Sequence, residues 1–280
     1  MAARRFIQCD VFSPVPTKGN GLAVVVDGEG LSDAAMQDFA TWTSLAETTF
    51  LMPPTTPEAD YKVRIFTPTR ELPFAGHPTL GSCAAWLHAG GKARAGGMVR
   101  QECAVGVITI DVREPAFAFA APPTSVAPLP EERRQMVAAA LGISPDRILS
   151  TMQLANGPVW TLFELASADD VLAMDSGKIS HERHGYVGLI GAHAPGSECD
   201  FEVRLLGPSS GASEDPITGS LNAAIACWKY STGTWQGPVT VAQGTRIGRI
   251  GRVSIRHDVA HDTVWIGGRT CVLIEGTVHL

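Results

Sequence analysis

Apolar residues in the first part of the chain gather in short runs at Phe6–Phe12, Leu22–Val26, Thr48–Met52 and Tyr61–Phe66, which read as strands. Ser32 stands in the capping position of a helical stretch, Asp33–Thr43. His77–Gly91 reads as a buried helix with Pro78 in its first turn and glycines closing it. Ser220–Tyr230 has the same character, and the small residues along both suit helices tightly enclosed by sheet. Glu131–Leu141 is a further helical stretch. Ala121–Pro130 reads as a linker, because its four prolines cannot continue a central strand. The predicted class is α+β, each half a mostly antiparallel sheet around one central helix.

The chain also repeats itself. Asp60-Tyr-Lys-Val-Arg-Ile-Phe-Thr-Pro68 matches Asp200-Phe-Glu-Val-Arg-Leu-Leu-Gly-Pro208, half a chain length away. Each is followed by Glu-x-Pro-x-x-Gly, as Glu71–Gly76 and Glu214–Gly219, the spacing widened by a short insertion around Ser209–Ser213. Gly19-Asn20-Gly21 pairs with Ala155-Asn156-Gly157, both turn signals before apolar β-formers. Similar strand-turn-helix units would explain one match, but not several in the same order. The expected organisation is therefore two pseudo-symmetric lobes from an internal duplication. Residues 1–122 form the first and 123–267 the second, with about 268–280 returning to the first.

Composition narrows the function classes. With 280 residues and 45% hydrophobic content the chain can fill one large core or two ordinary ones. A formal net charge of −6 and the absence of a basic stripe argue against a nucleic-acid partner. No run of 18 apolar residues and no leader-like apolar segment is present, so the expectation is a cytoplasmic protein without a membrane partner. The six cysteines lack a Cys-x-x-Cys pair or a nearby His at metal-ligand spacing, and read as buried reduced thiols rather than metal ligands.

Ionisable candidates cluster around the two Pro-x-x-Gly turns: Glu71, His77, Glu214 and Asp215, with Ser220 as a hydroxyl partner. Helix starts at Gly76-His77 and Gly219-Ser220 offer open backbone N–H groups and the positive end of a helix dipole, which favour a carboxylate by about 0.3–1 kcal/mol when exposed and up to ~2 when partly buried. Glycine there permits close approach of a ligand, although it also serves simply to close a turn. Asp215 alone would read as a helix N-terminal acid, and Glu71 and Glu214 as acids hydrogen-bonded to their own turns. A histidine cation opposes a helix N-terminus, so His77 is expected to be neutral and to hold a ligand. Glu47, in Ser44-Leu-Ala-Glu-Thr-Thr-Phe, stands at a helix-to-strand junction. Half-burial there would suit a carboxyl that takes and returns a proton, while a solvated or capping Glu is the commoner outcome.

Together, Asp10-Val-Phe with Gly19-Asn20, Leu45-Ala-Glu47-Thr-Thr-Phe, Arg64-Ile-Phe-Thr-Pro, Pro73-Phe-Ala-Gly-His77-Pro-Thr-Leu-Gly, Glu214-Asp-Pro-Ile-Thr-Gly-Ser220 and Gln243-Gly-Thr-Arg-Ile-Gly-Arg249 give the chain its resemblance to the phenazine-biosynthesis PhzF-like isomerases, relatives of diaminopimelate epimerase and proline racemase. The resemblance covers essentially the whole chain. It implies a diaminopimelate epimerase-like fold with the active site between the lobes, commonly a homodimer, and no cofactor or metal. It further implies that Glu47 shuttles a proton between carbons of a substrate such as trans-2,3-dihydro-3-hydroxyanthranilate. His77, Asp215 and Ser220 would hold that substrate, and Gly76 and Gly219 would supply backbone donors. The racemase relatives use two cysteines just before the helix-start glycines, where this chain has Ala75 and Thr218. Cys83 and Cys227, further along each helix, are expected to be core residues. Gly21, Ala46 and Ile250-Gly251 depart from the family pattern and weaken transfer of the particular phenazine substrate.

Three readings follow. The first is an isomerase moving a proton on a small cyclic or unsaturated carboxylate. The second is a binding protein that keeps the fold without turnover, since function resides in sites and not in folds. The third is an epimerase that pairs Glu47 with Asp215 in place of two thiols.

Overall fold

Ser32 caps the first helix in the computed structural model of the chain, which describes residues 1–113, 116–208 and 212–280. Its side chain accepts a hydrogen bond from the Ala35 N–H at 3.2 Å, satisfying one of the donors a helix start leaves open. Helix α1 (Asp33–Thr43) ends at Ser44, whose φ of 54° turns the chain into the next strand. The α1 face formed by Met36, Phe39 and Ala40 is buried against Val25, Phe50 and Phe66.

The chain divides into two units, Met1–Ala120 with Gly267–Leu280, and Ala121–Ile266. The first contains β1 (Ala3–Val11), β2 (Asn20–Val25), α1, β3 (Glu47–Met52), β4 (Tyr61–Phe66), β5 (Glu71–Leu72), α2 (Gly76–His88), β6 (Met98–Cys103), β7 (Gly106–Asp111) and β8 (Ala116–Ala120). Strand β1 pairs antiparallel with β2, β3 with β4, and β6 with β7. The β2–β3 and β4–β6 pairings are parallel. Helix α2 packs against β1, β2, β3, β6 and β8, so the sheet curls around it. Every residue from Gly76 to Cys83 is buried. At Gly81 a Cβ would lie 2.5 Å from the Leu22 side chain and 3.0 Å from that of Val11, so glycine lets this helix approach β1 and β2.

The second unit contains β9 (Ser125–Pro128), α3 (Glu131–Leu141), β10 (Ile148–Ala155), β11 (Val159–Leu165), α4 (Ala168–Ala173), α5 (His181–His184), β12 (Tyr186–Ala192), β13 (Phe201–Leu206), β14 (Glu214–Asp215), α6 (Gly219–Ser231), β15 (Val239–Gln243) and β16 (Gly251–Asp258). Strand β17 (Thr263–His279) starts here and continues into the first unit, where it pairs with β1. Parallel β11–β12 and β13–β15 pairings again alternate with antiparallel ones. Helix α6 packs against β10 and β16, and Gly219–Ala226 are all buried. Val137 and Leu141 of α3 and Val171 of α4 cover another apolar layer with Phe163, Leu165, Val187, Leu189 and Leu206.

The result is a mixed α and β fold dominated by sheet. The same local succession of strand, two-residue strand and 13-residue helix occurs in both units, as β4–β5–α2 and β13–β14–α6. Phe66 faces Glu71 in one and Leu206 faces Glu214 in the other. Two expectations need correction. The proline-rich Ala121–Pro130 segment is not linker throughout: Ser125–Pro128 forms a strand paired with β10. Of the four prolines only Pro128 falls within this strand, as its last residue, so the others do not interrupt it. Glu71 and Glu214 bind arginines and do not serve their turns: Arg64 pairs with Glu71 and Arg204 with Glu214. The Ser209–Ser213 insertion lies partly outside the described residues, at 209–211.

Candidate active site

Glu47 is the first residue of β3, in register with Leu22 of β2 and just past the left-handed Ser44. His77 is the second residue of α2, 4% exposed. The fold brings these two sequence-predicted residues together, with His77 Nε2 3.2 Å from Glu47 Oε2. That is within ion-pair distance but outside hydrogen-bond alignment for the imidazole, whose buried Nε2 has no hydrogen-bond partner among the described residues. Burial pushes the His77 imidazole down to about 3, against a weaker opposing effect of a hydrogen bond to the Gly21 backbone. The ring is neutral near pH 7, as expected for a histidine at a helix start. Nothing caps this helix through a side chain at Ala75, so its first turn presents backbone donors from Gly76 and His77.

On the other side of the ring, Nδ1 lies 3.4 Å from Asn20 Nδ2. Asn20 is 2% exposed and is held by the loop before it. Asp10 Oδ2 accepts a hydrogen bond from the Gly19 N–H at 2.9 Å. A Cβ on Gly19 would come within 2.3 Å of the Val11 carbonyl oxygen, so the loop closes only with glycine there. The same loop contains two non-glycine residues with left-handed backbone, Phe12 (φ 67°) and Thr17 (φ 69°).

In the second unit Asp215 ends β14, four residues ahead of α6. Its Oδ2 accepts a hydrogen bond from the hydroxyl of Thr218, the residue just before the helix. Fully buried Gln243 organises this turn. Its Nε2 donates to Thr218 Oγ1 at 3.0 Å, and its Oε1 accepts from the Thr218 N–H at 3.1 Å and from Asn222 Nδ2 at 2.9 Å. Ser220, 8% exposed, follows Gly219 at the helix start. Its carbonyl accepts from Asn156 Nδ2 at 2.8 Å, and Asn156 Oδ1 accepts from the Trp160 indole. Thus Asn20, the first residue of β2, lies against the second residue of α2, and Asn156, in the turn before β11, against the second residue of α6. Sequence reasoning assigned no role to Asn20, Asn156, Thr218, Asn222 or Gln243. The repeated Asn-Gly turn was the available signal for the first two.

The chemistry this permits is that of carboxylate and imidazole. Among the described residues no group of three His, Cys, Asp or Glu side chains is placed to hold a metal ion. Burial raises the thiols of Cys83 and Cys227, so neither is a ready thiolate. Among the described residues no helix is long and apolar enough to cross a membrane.

Residues 9–276 match the family model described as phenazine biosynthesis-like protein. The chain belongs to the phenazine biosynthesis-like (PhzF) family. A trans-2,3-dihydro-3-hydroxyanthranilate isomerase of Pseudomonas fluorescens is 32% identical over 257 residues, covering 87% of each chain. The protein called antisense-enhancing sequence 1 of Schizosaccharomyces pombe is 32% identical over 295 residues, with 99% of each chain covered. A solved structure of the PhzF family from Bacillus anthracis superposes over 100% of both chains with a TM-score of 0.83 at 20% identity, which places the fold. As a PhzF-family protein with relatives named isomerases, the chain is an isomerase.

Proposed function

We propose that this PhzF-family protein catalyses acid/base proton transfer between carbons of a small cyclic or unsaturated carboxylate, of the kind exemplified by trans-2,3-dihydro-3-hydroxyanthranilate, without a cofactor. Glu47 is the acid/base. His77, Asp215 and Ser220 bind the substrate, and the backbone N–H groups of Gly76 and Gly219 take part in holding its carboxylate.

The observation that carries this reading is the Glu47–His77 pair, an acid with its side chain 16% exposed beside a buried imidazole at an uncapped helix start. A carboxylate removes a proton from a carbon made acidic by the neighbouring unsaturated system, retains it, and delivers it to a second carbon of the same molecule. A well-placed base of this kind contributes about 10²–10⁴-fold, and fixed donors stabilise the charge that develops. A neutral imidazole suits this task, because it offers a hydrogen bond without competing with the carboxyl for the proton. Ala75 and Thr218 in place of cysteines speak against a two-thiol racemisation.

The test is steady-state turnover of trans-2,3-dihydro-3-hydroxyanthranilate and a panel of cyclic and unsaturated carboxylates by the wild-type protein and by Glu47→Gln. The proposal expects turnover of at least one member and a loss of about 10²-fold or more in the variant. Saturable binding without turnover anywhere in the panel would instead support a binding protein. Inversion at a single carbon, lost equally in Glu47→Gln and Asp215→Asn, would support the two-carboxylate epimerase.

A further inference from the structure

Threonine is a favoured N-cap residue, because its hydroxyl can accept a hydrogen bond from a first-turn N–H. Ser32 and Ser167 do this for α1 and α4, accepting from Ala35 and Asp170. Thr218 holds the N-cap position of α6, yet its side chain makes no capping bond. Gln243 holds that side chain elsewhere. Its carboxamide is fully buried and uses its whole hydrogen-bonding capacity. Oε1 accepts from the Thr218 N–H and from Asn222 Nδ2, while Nε2 donates to Thr218 Oγ1 and, at 3.4 Å, to the Asp215 carbonyl. A backbone N–H only donates, so the amide cannot be reversed. A hydroxyl has one hydrogen, and with Gln243 donating to its oxygen that hydrogen goes to Asp215 Oδ2. The relay runs one way, from amide to hydroxyl to carboxylate. At α2 the N-cap position is Ala75, which has no group to cap with.

From this arrangement we propose that Gln243 is a positioning residue for substrate binding: it diverts Thr218 from capping α6, so that the first-turn N–H groups stay open to a substrate carboxylate, and it commits the Thr218 hydroxyl to Asp215. The inference rests on the reading that Asp215 and the start of α6 hold the substrate. It gives the first residue of the Gln243–Arg249 motif a task one step away from the groups that touch substrate. Without the carboxamide, the Thr218 hydroxyl is free to turn to its own helix, closing those donors and abandoning Asp215. Both losses weaken the hold on ground state and transition state alike, so KM rises more than kcat falls.

The experiment uses full-length protein with ¹³C,¹⁵N labelling and the three-bond couplings from Thr218 Cγ2 to its backbone nitrogen and carbonyl carbon, which report χ1. The methyl resonance is assigned by its loss in Thr218→Val. Wild type is expected to hold one rotamer and Gln243→Leu to leave it. With a turned-over substrate, Gln243→Leu should raise KM by about 10–100-fold at every pH. Gln243→Glu isolates the donor: the introduced carboxyl both donates and accepts when neutral, and only accepts when ionised. Its KM should approach that of wild type at low pH and climb toward that of Gln243→Leu as the carboxyl ionises, between about pH 5 and 9 for a buried acid. Should Gln243→Leu not fold, the same couplings in Gln243→Glu across that pH range take its place. A merely structural Gln243 would lower the melting temperature and leave the Thr218 couplings and the pH dependence of KM alone. An unchanged Thr218 rotamer in the folded variants, or a Gln243→Glu protein whose KM keeps one ratio to wild type at every pH, overturns the proposal. The couplings need no substrate, so their outcome is separable from that of Asp215→Asn, whose unchanged KM would reject the substrate-binding reading instead.

Discussion

The two Arg–Glu pairs that follow the repeated Val-Arg motif occupy opposite extremes of burial, which makes them a paired test of the energetics. Arg204 and Glu214 have side chains 2% and 1% exposed. The guanidinium also donates to the Val171 and Met174 carbonyls at 2.9 and 2.7 Å. In Arg204→Met, Glu214 is left as a buried charge and two carbonyls lose their donor, at a cost of about 3–5 kcal/mol. Arg64 also binds two acids, Glu71 and Asp33, but its side chain is 21% exposed and theirs are 40% and 83% exposed. Water screens those pairs, so Arg64→Met should cost about 0–1 kcal/mol. At roughly 2–4 °C per kcal/mol, the first substitution lowers Tm by about 6–20 °C and the second by at most about 4 °C. Scanning calorimetry of both variants measures the contrast. Arg204→Met combined with Glu214→Leu should recover much of the loss, because a buried pair replaced by apolar groups is often near neutral. Equal losses from the two single substitutions would refute the reasoning from burial.

Further outcomes follow from the same geometry. His77 is held down to about 3 by burial, so between pH 6.5 and 3 the unfolded chain binds a proton there that the folded chain does not. Its contribution to stability is therefore intact above 6.5 and falls as the pH drops, by about 1.4 kcal/mol per pH unit, and urea titrations at pH 7 and 5 should show His77→Gln losing less than wild type. Gly244 and Gly248 both have left-handed backbone, φ 87° and 72°, but only Gly244 is crowded, a Cβ there reaching within 2.6 Å of the Pro216 carbonyl oxygen. Both alanine variants should lose about 1–2 kcal/mol for the backbone, with Gly244→Ala losing more and, through the Asp215-Pro216 turn, raising KM. Ser32→Ala removes the α1 cap and should cost about 1 kcal/mol by thermal denaturation, without affecting turnover.

What the sequence discloses follows the range of the interactions that decide each feature. Asp33–Thr43, Tyr61–Phe66 and Glu131–Leu141 are read to the residue because local signals set them, such as the Ser32 cap and the Gly142 that follows α3. Ser125–Pro128 is misread because its strand character comes from a partner 24 or more residues away, Met152–Ala155, which overrides the local proline content. The Glu71 and Glu214 partners were within reach, since Arg64 and Arg204 repeat along with them. Burial, which separates the two pairs energetically, has no local signature. Candidate site residues are legible as types at turns. The Glu47–His77 approach depends on the parallel β2–β3 pairing and the position of α2, and the Gln243 network depends on β15 lying parallel to β13. Neither pairing is inferable from spacing.

The central claim is that Glu47 carries the transferred proton. Its most direct test is a single turnover in D₂O with excess enzyme and trans-2,3-dihydro-3-hydroxyanthranilate, or the best substrate of the panel, with product deuterium located by mass spectrometry and NMR for wild type and Glu47→Gln. The account predicts a rearranged product from wild type with hydrogen or deuterium delivered to one new carbon position, and neither product nor substrate labelling from the variant. Rearrangement or exchange by Glu47→Gln at the wild-type rate would contradict it.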